Sequence, residues 1–154
     1  MPGASTEPPR IRTFRTLGRT GWKASDVSFG AGNLSNANVL QMALDRGMNY
    51  IDTGEHYERG GSERTIGEAL TGRDRKSVFV TTKINMTFNG KGDKIAIRER
   101  FQKCLERMRL DYVDCLMIHM CTLAQVTYEP YHELIGELKA EGKVRFSGLS
   151  NQQS

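Results

Sequence analysis

Five short apolar runs, each separated from the next by a segment with helical periodicity, constrain this chain more than any other feature. The runs are Val27 to Gly30, Met48 to Asp52, Ser77 to Thr82, Tyr112 to Ile118 and Lys143 to Leu149, and their β-branched and aromatic content predicts strands. Between them, apolar residues recur every three or four positions, as in Val39, Leu40, Ala43 and Leu44 after a capping Ser35 or Asn36. Ser62 to Leu70 predicts a second helix. A third follows a capping Asp93, with Ile97, Phe101, Leu105 and Met108 along one face. Thr127 opens a fourth, with Tyr131, Leu134, Ile135 and Leu138 aligned. Strand and helix alternate at intervals of about 20–35 residues, the pattern of repeated βαβ units and a parallel sheet.

The first ten residues are small and polar with three prolines, and predict a flexible tail ahead of one domain over 11–154. Ile11 to Leu17, a turn at Gly18 to Gly21, and Trp22 to Ala24 read as a small hairpin before the main fold. The net charge of +4 is spread among acids rather than clustered, so it reads as a solvated surface and argues against nucleic acid. No apolar run approaches the roughly 20 residues of a membrane span. The opening residues lack the apolar core of a signal peptide, and the expected location is the cytoplasm. Cys104, Cys115 and Cys121 show no C-x-x-C spacing; they predict buried free thiols and no metal site.

The chemistry gathers where strands end. Asp52 closes the second run, and Tyr57 follows five residues later in the loop before Gly60-Gly61; Lys83 ends the third and His119 the fourth. Parallel strands bring such ends to one face, where α/β proteins carry their sites. Singly, each residue has a bland reading: a surface aromatic, a solvated strand exit, a loop cap, a half-buried histidine. Together they fit one task, protonation of a carbonyl oxygen as hydride reaches its carbon. A tyrosine with an ordinary pKa of about 10 is a poor acid at neutral pH. A nearby ammonium favours the phenolate, a carboxylate can hold that ammonium, and a histidine can bond the substrate oxygen.

Asp52 and Tyr57, with Gly61-Ser62-Glu63 and Gly67-Glu68-Ala69-Leu70, resemble the N-terminal signature of the aldo-keto reductases. Thr81-Thr82-Lys83, the run into His119, and Gly148-Leu149-Ser150-Asn151 resemble that family's later motifs in order. The resemblance implies a (β/α)8 TIM-type barrel of which five strands and four helices are present. It implies reduction of an aldehyde or ketone by hydride from NADP(H), with NAD as the alternative. By position it makes Tyr57 the general acid, with Lys83 and Asp52 as its pKa-lowering pair. His119 would orient the carbonyl, and Ser150 and Asn151 would bind the nicotinamide carboxamide alongside Asp52.

The resemblance also implies that most pyrophosphate and adenosine contacts come from later strands and loops, so weak cofactor binding is expected of these 154 residues. Open sheet edges and an uncovered core face predict self-association. The alternative function is a truncated, inactive barrel fragment that binds a partner. A doubly wound sheet would require a glycine-rich turn after the first strand, and Gly30-Ala31-Gly32 is too short for one.

Overall fold

The computed structural model describes residues 8–86 and 94–151. It opens with an antiparallel hairpin, β1 (Phe14–Thr16) and β2 (Lys23–Ser25), joined through a 3-10 turn at Gly18–Thr20. The main body follows as β3 (Phe29–Gly30), α1 (Ala37–Asp45), β4 (Tyr50–Asp52), α2 (Gly61–Leu70), β5 (Phe79–Asn85) and α3 (Lys94–Met108). β6 (Val113–His119), α4 (Leu123–Val126), α5 (Glu129–Ala140) and β7 (Val144–Ser150) complete it. All neighbours in the five-stranded sheet are parallel, and their order is that of the sequence, β3-β4-β5-β6-β7. A doubly wound sheet reverses its order at a switch point. This one never does, so its crossovers all advance in one direction, as in a barrel wall.

The two faces of the sheet differ. Val80 and Ile84 of β5 and Leu116 and Ile118 of β6 pack with Leu40, Ile66, Phe101, Leu105, Leu134 and Leu138 of the helices into one buried core. The other face carries an aromatic row. Phe79 stacks on Tyr50 at 5.1 Å and on Phe146 at 6.1 Å between centroids, and Trp22 of the hairpin lies 5.9 Å from Phe79. Asn49 pins the hairpin there: its Oδ1 accepts from Ser25 N at 2.8 Å and its Nδ2 donates to Lys23 O at 2.8 Å.

Several boundaries depart from the sequence expectation. Val39 is exposed, so α1 buries Ala37, Leu40 and Leu44 instead. Met48 belongs to the turn that ends α1, its N–H bonding Ala43 O, and β4 starts two residues later. Ser77 lies in a 3-10 turn capped by Asp74, so Lys83 falls inside β5 rather than past its end. Ser62 does not cap α2. Its hydroxyl is buried, bonds Thr53 Oγ1 at 2.9 Å and donates to Ala31 O at 2.7 Å, tying α2 to two loops. Thr127 ends the extra one-turn helix α4, and α5 starts afresh at Glu129-Pro130, where proline suits a first turn. The expected Asp93 cap and the first seven residues lie outside the described residues. The three thiols are free and buried. Among the described residues no helix is long and apolar enough to cross a membrane.

One buried charge fastens the starts of the later strands. Asp114 is 1% exposed and accepts from Arg75 and Arg145 at 2.7 Å each and from Val80 N at 2.9 Å. Arg75 also donates to Val78 O and Tyr112 O. Removing Asp114 leaves the buried Val80 N–H without its acceptor and the mostly buried Arg75 without its carboxylate, whereas Arg145 is half-exposed. Asp114→Ala is therefore expected to cost about 3–5 kcal/mol, read as a lower midpoint in urea unfolding. A variant within about 0.5 kcal/mol of the parent would show that the cluster is solvated.

Candidate active site

β4 and β5 pair with Asp52 opposite Thr81, which puts Lys83 two residues beyond Asp52 along the sheet. A lysine reaching back from that position meets the carboxylate. Lys83, 4% exposed, ion-pairs through Nζ with Asp52 Oδ1, donates to Thr53 O at 2.8 Å and bonds the Tyr57 hydroxyl at 3.3 Å. Its three donors thus have three oxygen partners.

Tyr57 arrives on a tight turn. Its N–H donates to Gly54 O at 3.0 Å, and the 3-10 segment Tyr57–Gly60 then turns the chain into α2. β5 and β6 pair with Asn85 opposite His119, and β6 and β7 with His119 opposite Ser150. The His119 ring meets Tyr57 edge-on at 6.1 Å between centroids. Asp52, Tyr57, Lys83 and His119 accordingly meet at the C-terminal ends of β4, β5 and β6. Ser150 sits across from His119 on β7, and Asn151 donates to Cys121 O at 3.1 Å from the same sheet end.

Sequence reasoning missed two neighbours. His56 stacks on His119 at 5.0 Å between centroids with 24° between planes, and lies 4.9 Å from the Tyr57 ring. Its position beside Tyr57 was the only signal. Glu55 ion-pairs with Arg100 of α3 and accepts from Asn85 N at 2.9 Å, bracing the loop after β4.

His119 is buried, and its Nδ1 has no hydrogen-bond partner among the described residues. Burial first, then the charges of His56 and Lys83, lowers its pKa from the usual 6.5. Near neutrality the imidazole is uncharged. The arrangement sets an ammonium, a phenol and a neutral imidazole side by side at one end of the sheet.

A barrel-type α/β chain with its polar side chains gathered at the strand ends is an enzyme scaffold by architecture. The Aldo/keto reductase family profile matches residues 26–154, and the chain belongs to that family. It is 30% identical over 149 residues to an uncharacterised oxidoreductase of Bacillus subtilis, covering 89% of this chain and 48% of the relative. An NADH-specific methylglyoxal reductase of Escherichia coli is 34% identical, with 93% and 51% covered. An aldo-keto reductase from Klebsiella pneumoniae solved with NADPH superposes at a TM-score of 0.76 and 26% identity, covering 94% of this chain and 51% of that one. A holo aldo-keto reductase from Bacillus halodurans gives 0.78 and 29%, with 92% and 51% covered. The chain spans about half the length of the curated relatives it matches, and its fold is that of the aldo-keto reductase TIM barrel over that portion.

Because the His119 pKa is lowered, the unfolded chain binds more protons than the folded one between the folded value and about 6.5. The contribution of His119 to stability is intact above that range and declines as pH falls through it. Proton NMR titration of the three histidines should give a His119 midpoint below 6.5 that rises in His56→Ala, because the His56 charge is one of its causes. A midpoint at or above 6.5 would contradict the burial argument.

Proposed function

We propose that this chain carries the proton-transfer machinery of an NAD(P)H-dependent carbonyl reductase, with Tyr57 as general acid. The observation that supports the reading is the buried Lys83 ammonium shared between Asp52 and the Tyr57 hydroxyl. A bound nicotinamide cofactor supplies hydride to the carbonyl carbon. As negative charge grows on the carbonyl oxygen, Tyr57 gives up its proton, and Lys83 stabilises the phenolate left behind. Asp52 holds the ammonium in place through their ion pair. The neutral imidazole of His119 bonds the carbonyl oxygen and aims it at the phenol.

Ser150 and Asn151 fit the carboxamide end of the cofactor, which needs an acceptor for its N–H2 and a donor for its C=O. NADPH is the proposed hydride source, as in the Klebsiella structure, with NADH, as in the Escherichia coli relative, the alternative. Small aldehydes such as methylglyoxal are the proposed substrates, and the cytoplasm the proposed location.

Tyr57→Phe removes only the proton donor. It is expected to lower kcat by about 10²–10⁴ and to leave NADPH affinity unchanged by fluorescence titration. Turnover of methylglyoxal is to be read in the chain itself and in a chimera whose residues 26–154 replace the matching half of the Klebsiella enzyme. A fully active Tyr57→Phe protein would overturn the acid assignment.

A second reading, self-association through the β7 edge, draws support from the exposure of Leu149 (55%), Met120 (51%) and Leu123 (80%) around it. Light scattering of the 154-residue chain should show dimers that Leu149→Lys disperses; a strict monomer at high concentration would sink this reading.

A further inference from the structure

The backbone just after Tyr57 is strained. Glu58 and Arg59 are left-handed at φ 50° and 52°, and Gly60 follows at 79°. Non-glycine residues in that region persist only where the surroundings over-determine them. The surroundings here come from α3. A Cβ built on Gly60 would lie 2.7 Å from Arg107 Cδ and 2.9 Å from its Nε, so the guanidinium arm rests directly on the turn.

Arg107 is itself held. Its Nε donates to Glu63 Oε2 at 2.6 Å and its Nη2 reaches Cys104 Sγ at 3.3 Å. Glu63 is fully buried, and its other oxygen accepts from Thr82 Oγ1 at 2.8 Å. Thr82 immediately precedes Lys83. One carboxylate therefore spans from the residue beside the lysine to the guanidinium lying on the turn that carries the tyrosine.

We infer that Glu63 and Arg107 are positioning residues for the proton donor: by bridging Thr82 and the Glu58–Gly60 turn, they fix the Tyr57 hydroxyl against Lys83 Nζ from outside the sheet. The contacts described for the pair are to Thr82, Cys104 and the Gly60 turn, not to Asp52, Lys83 or His119. The inference rests on the reading of Tyr57 as the acid for its meaning, but its geometry is independent of turnover. A purely packing role for the pair predicts lower stability and an undisturbed Tyr57.

The test places 3-fluorotyrosine at position 57 and reads its ¹⁹F resonance in the ligand-free chain. Replacing only one partner leaves a buried charge alone, so the pair is replaced together, Glu63→Met with Arg107→Met, a change that buried ion pairs often tolerate without loss of stability. Gly60→Ala is the second variant, since its methyl must displace the Arg107 arm or the turn. Asp114→Asn, at the opposite end of the strands, is the control that lowers stability without touching the bridge.

The expected result is a second ¹⁹F state in the double variant and in Gly60→Ala, its population raised about tenfold or more over the parent. The control should melt earlier with an unshifted resonance. A single, parent-like resonance in Gly60→Ala, or in a folded double variant, overturns the inference; if the double variant does not fold, Gly60→Ala decides alone. Because the measurement uses neither cofactor nor substrate, an inactive chimera together with a second ¹⁹F state in the variants would count against the reductase reading and not against the bridge.

Discussion

The site depends on keeping one ammonium out of water. Burying a charge such as that of Lys83 costs several kcal/mol unless partners surround it, and each partner comes from a different piece of the fold. Asp52 requires β4 beside β5 in parallel register; Thr53 O requires the chain to leave β4 along β5; the Tyr57 hydroxyl requires a turn that doubles back over the lysine. Shifting β5 by one residue would send Lys83 to the helix-packed face, away from Asp52, Thr53 O and the Tyr57 hydroxyl. The sheet's register is thus held by a polar requirement at its centre as well as by its apolar core.

The helices answer to the same requirement from outside. A Cβ on Gly67 would fall 2.5 Å from Met108 O, so α2 and α3 lie backbone to backbone. That closeness lets Arg107 reach across to Glu63 and rest on Gly60. Glu55 and Arg100 brace the preceding loop against α3 in a similar way. The loop between β4 and α2 is gripped on both flanks by one helix.

The strand ends were legible because apolar runs stop at a polar residue, and parallel order then brings those residues together without further information. Asp52, Lys83 and His119 could be found that way, and Tyr57 by its place in a glycine-bounded loop. The left-handed turn was not legible, since Glu58 and Arg59 are residue types that rarely adopt it. Without the turn nothing predicts that His56 stacks on His119. Glu63 was legible only as part of the Gly61-Ser62-Glu63 motif, because its partner Arg107 stands 44 positions away. The helix α4 was missed although Thr122 and Gln125 form a capping box visible in the sequence. Lys83 was placed beyond its strand because β-branched content fades after Thr82, while the ladder runs on to Asn85.

The sequential strand order also bears on how the chain assembles. Each strand of the sheet pairs with the one made just before it, so every new strand leaving the ribosome finds its template already in place. Each connection is a helical crossover to the adjacent strand, whose closure cost grows only slowly with its length, and domains grow from the N-terminus during synthesis. The hairpin, made first, is clasped by Asn49 as soon as β4 appears. The aromatic row then extends from Tyr50 to Phe79 and at last to Phe146. Lys83 takes its three oxygen partners from β4 and the turn that follows it, so the charged contact of the site asks nothing of β6 or β7.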